Sequence, residues 1–459
     1  MDTSRRRLEP LIGGGRTVLT RSLADVRLRD VGYEQTEWAC SGHAESYRAP
    51  SGLPTDGRWT FEVRDHAEFT TRVLIRRPSD EGRFSGTVVV EWLNVSSGSD
   101  SAPVFGFSGP ELTRAGHVWV GVSAQWAGIV AAPALVDVGA SGLLALQSAD
   151  PLRYGGLVHP GDAYAYDVFT QVVDSLLDDR PEPLAALDIQ SVVAVGESQS
   201  AYALVTYVNG VQPRAERFDG FLIHSRGRGA LPLGDAGRGA DVEGSRGDPP
   251  VLIRDDLDVP VLVVQTETDV LGFLDSLSCR QPDTGRFRCW ELAGAAHADL
   301  SLIGELETML GCADPVNRGQ QRFVVRSALR HLVNWVRTGA APPSASPLAV
   351  AVDESGPVVH RRFETDELGN VLGGVRTPCV DVAVETLSGL CRDGESHVCQ
   401  LFGRRLALPD AVLRDRYPTL AAYREAYAAA TDRAIDDGFI LSDDRDEVLE
   451  DAPADVITW

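Results

Sequence analysis

The sequence predicts an α/β chain, a mostly parallel central sheet of about eight strands with helices on both faces. Three observations carry this. Short, continuous apolar runs recur, among them Thr87–Leu93, Ser191–Val195 and Pro260–Val264. They are rich in valine and too short for helices, as strands buried on both faces require. Between them lie longer stretches with helical spacing, such as Ala163–Leu177 and Gln320–Arg337. The 459 residues are 43% apolar, enough to bury such a core.

Taken in order, residues 1–30 read as a polar lead-in. Gly32–Arg48 and Thr60–Arg77 alternate as half-buried strands do and should form an antiparallel pair. Thr87–Leu93 is the third strand and His117–Ala124 the fourth. Residues 126–162 form a long Gly- and Ala-rich connection ending in His159-Pro160-Gly161-Asp162, where Asp162 is placed to cap the helix Ala163–Leu177. The fifth strand runs into Gly196, and Phe218–His224 is the sixth. The seventh and eighth end near Asp269 and His297, and Gln320–Arg337 is an amphipathic closing helix. Residues 31–340 make up the core. Within it, residues 225–258 carry seven glycines and mixed charge and read as an exposed insertion, either a lid over a site or a loop without a role. Beyond Ala341-Pro342-Pro343-Ser344, a linker, residues 341–459 form an extension with strand-like runs at Leu348–Asp353 and Val358–Phe363 and a helix at Thr419–Gly438. Its length argues that it packs on the core near a substrate entrance. The chain has no internal repeat.

The stretch with most chemistry is Ser191-Val-Val-Ala-Val195-Gly196-Glu197-Ser198-Gln199-Ser200-Ala201. An apolar strand enters a sharp turn, a helix leaves it, and Ser198 sits at the apex. This is the G-x-S-x-G elbow with Ser200 in the last position, where small size is what matters. A serine hydroxyl is a poor nucleophile at neutral pH and needs a base, and the base needs an orienting acid. Both follow in chain order. Asp269 ends the run Val261–Gln265-Thr-Glu267-Thr-Asp269, and His297 follows Phe287–Leu292-Ala293-Gly294. Ser198, Asp269 and His297 are therefore the candidate catalytic residues, with Glu267 as the alternative acid. The tetrahedral oxyanion needs two N–H donors. One is expected from Gln199, and the other from the loop after the third strand, at Asn94 or Val95. Gln125, Trp126, His224 and Arg226 also end strands and are candidates to face the pocket. Arg226 would suit a substrate carboxylate, or else a structural salt bridge. His159 reads as a loop-ordering residue.

These phrases resemble the α/β-hydrolase superfamily, and more narrowly the bacterial serine hydrolases known as alpha/beta hydrolase domain-containing proteins. The likeness rests on Glu91-Trp92-Leu93-Asn94, Arg153-Tyr154-Gly155, His159-Pro160-Gly161-Asp162, Gly196-Glu197-Ser198-Gln199-Ser200, His224-Ser225-Arg226, Gln265-Thr-Glu267-Thr-Asp269 and Ala293-Gly294-Ala-Ala-His297, and it spans roughly residues 30–345. It implies the α/β-hydrolase fold and a serine-hydrolase mechanism, and says little about substrate.

Composition narrows the classes. A net charge of −23 and a pI near 4.8 argue against nucleic acid or an anionic membrane as partner. All 43 basic residues are arginine. That excludes a Schiff-base lysine, a Walker A lysine and a serine–lysine dyad. Arg5-Arg6-Arg7 is not followed by the apolar stretch of an export signal, and no apolar run is long enough to span a bilayer, so a cytoplasmic protein is expected. With 7 cysteines and no export signal, free thiols are the default, although 279/289 and 391/399 are spaced to allow local bridges. No metal-ligand spacing occurs, and neither metal nor cofactor is expected. The reading is a carboxylic-ester hydrolase working through an acyl-enzyme on a small-molecule ester, with a homo-oligomer as the one protein partner left open. Acyl transfer, or amide or carbon–carbon bond hydrolysis, would use the same residues. A catalytically silent scaffold is the alternative of a different class.

Overall fold

The computed structural model describes residues 6–13, 17–20, 26–130, 144–245, 247–355 and 359–459. Nine strands form the central sheet: β1 (Arg7–Pro10), β2 (Tyr33–Arg48), β3 (Glu62–Pro78), β4 (Thr87–Trp92), β5 (Val118–Val122), β6 (Ser191–Glu197), β7 (Gly220–His224), β8 (Val261–Thr266) and β9 (Phe287–Leu292). Their order is β1-β2-β3-β5-β4-β6-β7-β8-β9. The contacts from β1 to β5 are antiparallel, and those from β5 through β4 to β9 are parallel. The ninth strand comes from the lead-in, whose residues 7–10 pair with Trp38–Ser41 of β2.

Side-chain alternation divides the core between the two faces of the sheet. Val88, Val90 and Trp92 of β4 and Val192 and Ala194 of β6 pack on one face. Val89 and Leu93, with Val193 and Val195, pack on the other. The first face is covered by α2 (Ala165–Asp174) and α3 (Gln199–Thr206), the second by α1 (Pro103–Arg114) and α4 (Gln321–Thr338). The closing helix is thus found within one residue of its predicted ends. Asp162 does not cap α2. It sits in a single 3-10 turn before that helix, and its carboxylate accepts from the Trp126 and Ala240 N–H groups at 2.7 and 2.8 Å. The connection 126–162 lies partly outside the described residues.

The glycine-rich segment 225–258 is not a free loop. Leu231, Val242, Val251 and Ile253 are buried, and backbone bonds tie Arg228 to Leu274 and Leu231 to Tyr202. The C-terminal segment forms two small hairpins, β10 (Val350–Asp353) with β11 (His360–Phe363) and β12 (Glu385–Ser388) with β13 (Arg404–Ala407). It adds the helix α5 (Leu420–Asp436). Tyr417, Tyr423, Tyr427 and Val448 make an apolar cluster with Phe323 of α4. Arg326 and Arg330 of α4 reach Asp444 and Asp443, and Arg114 of α1 reaches Asp444. A disulfide joins Cys312 to Cys399 across 87 residues. This corrects the expectation of free thiols at those two positions. Cys279, Cys289 and Cys391 are free, so neither local pair forms. Among the described residues, no helix is long and apolar enough to cross a membrane.

Candidate active site

The turn between β6 and α3 holds Ser198 at φ 59° and ψ −122°, a backbone region that residues with side chains rarely occupy. Such strain lifts the side chain clear of the sheet end. Gly196 sits where the chain is tightly packed, since a Cβ there would lie 3.0 Å from Leu204 Cδ1 and 3.1 Å from the Ser200 carbonyl. Ser200 is fully buried, and its hydroxyl has no partner among the described residues. The site therefore tolerates the hydroxymethyl group without using it. Three bonds fix the turn. The Ser198 N–H donates to the His224 carbonyl at 3.0 Å, Asn94 Nδ2 donates to the Glu197 carbonyl at 3.0 Å, and Gln199 Nε2 donates to Gln125 Oε1 at 2.7 Å.

His297 bridges this turn to an acid. Its Nε2 is 2.8 Å from Ser198 Oγ and its Nδ1 is 2.7 Å from Asp269 Oδ1. Burial alone would disfavour the imidazolium, but the carboxylates of Asp269 and, secondarily, Glu197 outweigh it and raise the pKa of His297 above the ordinary value. Asp269 is itself held rigidly. It is the third residue of the short helix Glu267–Leu271, where its Oδ2 accepts from the Thr266 N–H at 2.7 Å and the Thr266 hydroxyl at 2.9 Å. That is a capping box, and it leaves Oδ1 for the histidine.

Glu267 is engaged elsewhere. Its two oxygens accept from the Gly294 N–H at 2.6 Å and the Gly389 N–H at 2.8 Å, stapling the histidine loop to the C-terminal segment. Burial pushes its pKa up to about 7 against the pull of those two donors. Beside it, the Thr268 hydroxyl accepts from the His297 N–H at 3.0 Å and donates to the Gly389 carbonyl at 2.5 Å. Asn317 Nδ2 holds the Gly294 carbonyl at 3.1 Å, and Gln321 Nε2 holds that of Ala296 at 2.9 Å.

Across the cleft, the loop 94–102 is closed on itself. Asn94 and Ser101 exchange backbone bonds at 2.9 and 2.8 Å, so the Asn94 N–H is already used. Arg72, fully buried, fixes the loop through Asp100 at 2.6 Å. Glu91 anchors the start of α1 by accepting from the Val104 and Phe105 N–H groups at 2.9 and 3.0 Å. Of the two residues expected to supply a second donor, Val95 is the one whose N–H is not committed to that turn.

Ser198 and His297 open into a cleft of about 210 Å³. One wall is apolar, with Val242, Phe273, Leu274, Leu302, Leu401 and Phe402. The other carries Asn94, Ser96, Ser97 and Ser101, and Glu197 lies beside the serine. Burial raises the Glu197 pKa to about 7, and its Oε1 is 3.4 Å from His297 Nε2. The residues expected to line the pocket lie outside this wall. Gln125 braces Gln199 and Trp92, and the Trp126 N–H binds Asp162. The His224 ring packs edge-on against Phe107 at 5.4 Å, and burial lowers its pKa to about 4. Arg226 donates to the carbonyls of Gly227 and Val251 at 3.0 and 2.5 Å, forms no salt bridge among the described residues and does not line the cleft. His159 orders a loop, with Nε2 2.9 Å from the Ala124 carbonyl. Among the described residues, no group of three His, Cys, Asp or Glu converges as a metal site would need.

Sequence reasoning passed over Glu197, although it lies inside the motif, where a carboxyl next to the nucleophile was itself a signal. It also missed Phe273, Leu401 and Phe402, which no local pattern marks. The Thr266-x-x-Asp269 capping spacing was available to separate Asp269 from Glu267.

Residues 8–450 match the protein family described as Alpha/beta hydrolase domain. No curated protein matches the chain. Among solved structures, an α/β serine hydrolase without lid from Xanthomonas campestris is 13% identical over 62% of this chain and 93% of its own, with a TM-score of 0.32. An esterase from Rhizomucor miehei is 12% identical over 65% and 85%, at 0.31. A glucuronoyl esterase from Solibacter usitatus is 10% identical over 62% and 82%, at 0.29. At these scores the likenesses carry no argument about activity.

Proposed function

For a chain that belongs to the alpha/beta hydrolase domain family, we propose that Ser198, His297 and Asp269 hydrolyse carboxylic esters through an acyl-enzyme. One observation carries the reading: both nitrogens of a single buried imidazole are engaged, by a strained serine on one side and a fixed carboxylate on the other. His297 Nε2 takes the Ser198 proton as Oγ attacks the ester carbonyl, then gives it to the departing alcohol. Water repeats the sequence on the acyl-serine and frees the acid. Asp269 keeps the proton of neutral His297 on Nδ1 and stabilises the imidazolium as it forms. The backbone N–H groups of Gln199 and Val95 receive the oxyanion. The apolar wall favours an acyl or alcohol group of hydrocarbon character.

Two measurements test this. A fluorophosphonate should label the protein at Ser198 and not label Ser198→Ala. A series of para-nitrophenyl esters from acetate upward should be hydrolysed by the same preparation. A protein inert to both would be a scaffold on a hydrolase fold.

A further inference from the structure

Among the described residues, the buried Glu37, Glu111, Glu291 and Glu385 pair with arginines, whereas Glu91, Glu197 and Glu267 do not, and the surroundings of these three differ. Glu91 accepts two backbone N–H bonds and the Trp119 indole N–H at 2.8 Å. Glu267 accepts two backbone N–H bonds. Both act as structural staples, with each oxygen occupied. The Glu197 carboxylate accepts no hydrogen bond among the described residues, and its one close polar contact is His297 Nε2 at 3.4 Å. Glu197 lines the cleft, so its carboxyl faces whatever enters the cleft and is not spent on holding the fold. Among the described residues, Glu197 is also the one acidic side chain that lines the cleft, and no arginine lines it. The remaining titratable groups on the wall are His297, His397 and Tyr202.

We propose that Glu197 is a charge filter for the substrate: the cleft accepts esters whose acyl part is neutral or cationic and refuses those carrying a carboxylate. The proposal rests on the hydrolase reading above. A substrate carboxylate entering this cleft would leave water, meet no arginine among the described residues and approach a carboxylate of the same sign, and in a partly desolvated site each of these weakens binding. A neutral alkyl chain meets Phe273, Leu401 and Phe402 instead.

The test compares three substrates that differ mainly in charge: para-nitrophenyl hexanoate, the mono-para-nitrophenyl ester of adipic acid, and para-nitrophenyl aminohexanoate. The readout is the ratio of kcat/KM for the neutral ester to that for the anionic one. Normalising in this way removes any effect of the change on the chemical step. The wild-type ratio should reach about 100-fold, and Glu197→Gln should shrink it by about tenfold or more. The aminohexanoate should lose ground to hexanoate in the same variant. A ratio unchanged by Glu197→Gln, with the neutral ester still hydrolysed, would overturn the filter. Loss of fluorophosphonate labelling and of neutral-ester hydrolysis in the wild-type protein would overturn the hydrolase reading beneath it. If Glu197→Gln does not fold, the wild-type ratio is followed with pH. It should fall as the solution is acidified through about 7, where Glu197 gains its proton while the adipate carboxylate stays charged. The charged groups nearest Glu197 are His297 and Asp269, which serve both substrates alike in the ratio. His397, which also lines the cleft, is separated by His397→Gln, which should keep the pH trend. A flat ratio across that range would overturn the proposal.

Discussion

The two halves of the cleft are built differently. The serine half is held by neighbours within the sheet: the β6–α3 turn, the His224 carbonyl one strand away, Asn94 and Gln125. The histidine half is held from far along the chain. Gly389 binds Glu267 across 122 residues, Asn317 and Gln321 hold the loop carbonyls, and Cys399 reaches back to Cys312. The contrast separates two roles. The first half stores backbone strain at one residue and depends on the rigidity of a valine-rich sheet. The second depends on a C-terminal segment that contributes Leu401 and Phe402 to the cleft while fastening the loop that carries His297. Changes in the serine half should therefore act on the chemical step, and changes in the fastening of the histidine half on binding and stability.

The largest effects should come from the reacting groups. Ser198→Ala and His297→Ala should each lower kcat by about 10⁴ to 10⁶, with little change in unfolding temperature. The two together should cost hardly more than one. Next is the choice between the acids. Asp269→Asn should lower kcat by about 10⁴, because the amide favours the wrong imidazole tautomer. Glu267→Gln should lower kcat far less and show its main effect in unfolding, because one of two buried N–H groups loses its acceptor, at a cost of about 1–3 kcal/mol. Steady-state kinetics beside thermal unfolding checks both. A severe loss of kcat in Glu267→Gln with Asp269→Asn nearly silent would reverse the assignment of the two carboxyls. The pH profile gives the sign of the histidine. The proposed mechanism uses neutral His297, whose pKa is raised, so kcat/KM should be lost on acidification at a higher pH than for an ordinary imidazole.

The same contrast explains what the sequence disclosed. Continuous valine runs are read directly as buried strands, and the parallel direction of β4 to β9 follows from their alternation with helices, although their order does not. Strand-end residues follow from chain order, and for that reason Ser198, Asp269 and His297 could be named together. Where a strand-end side chain points could not be read. Arg226 and His224 end β7 much as Ser198 ends β6, yet backbone carbonyls claim the guanidinium and Phe107 covers the imidazole. The lead-in strand β1 was hidden because four half-polar residues at a sheet edge carry no apolar pattern. The glycines of 225–258 suggested exposure, whereas the scattered apolar residues between them decided the packing. Pairing of Cys312 with Cys399 depends on two segments meeting in space, which spacing along the chain does not encode.

A smaller effect should follow from cutting that link. Reduction, or Cys312→Ser with Cys399→Ser, should cost about 2–4 kcal/mol in unfolding free energy. It should also loosen the helix His397–Phe402, which carries two apolar residues of the cleft. KM for apolar esters should then rise severalfold while kcat changes little. An equal loss in kcat would mean that the disulfide also holds His297 in register, and the division between the halves would be less sharp than drawn.

The smallest effect is a slope. Glu267 has its pKa raised to about 7, because burial outweighs the two N–H groups it accepts. A carboxyl whose folded-state pKa lies above its unfolded value adds stability that is fully present below the unfolded value and lost as pH rises through the folded one. For Glu267 that window runs from about 4.5 to about 7. Denaturant midpoints measured across it should fall with pH in the wild-type protein relative to Glu267→Gln, which cannot ionise. Glu91 and Glu197, raised by burial as well, contribute in the same direction but are present in both proteins and cancel in the difference. The sign matters more than the size. If the two N–H donors outweighed burial, Glu267 would be ionised across the window, its contribution would already be complete above about 4.5, and the wild-type and variant curves would run parallel through the window. The staple between the histidine loop and Gly389 would then be a charged one, and the C-terminal segment would hold the base most firmly in the pH range where the base is neutral.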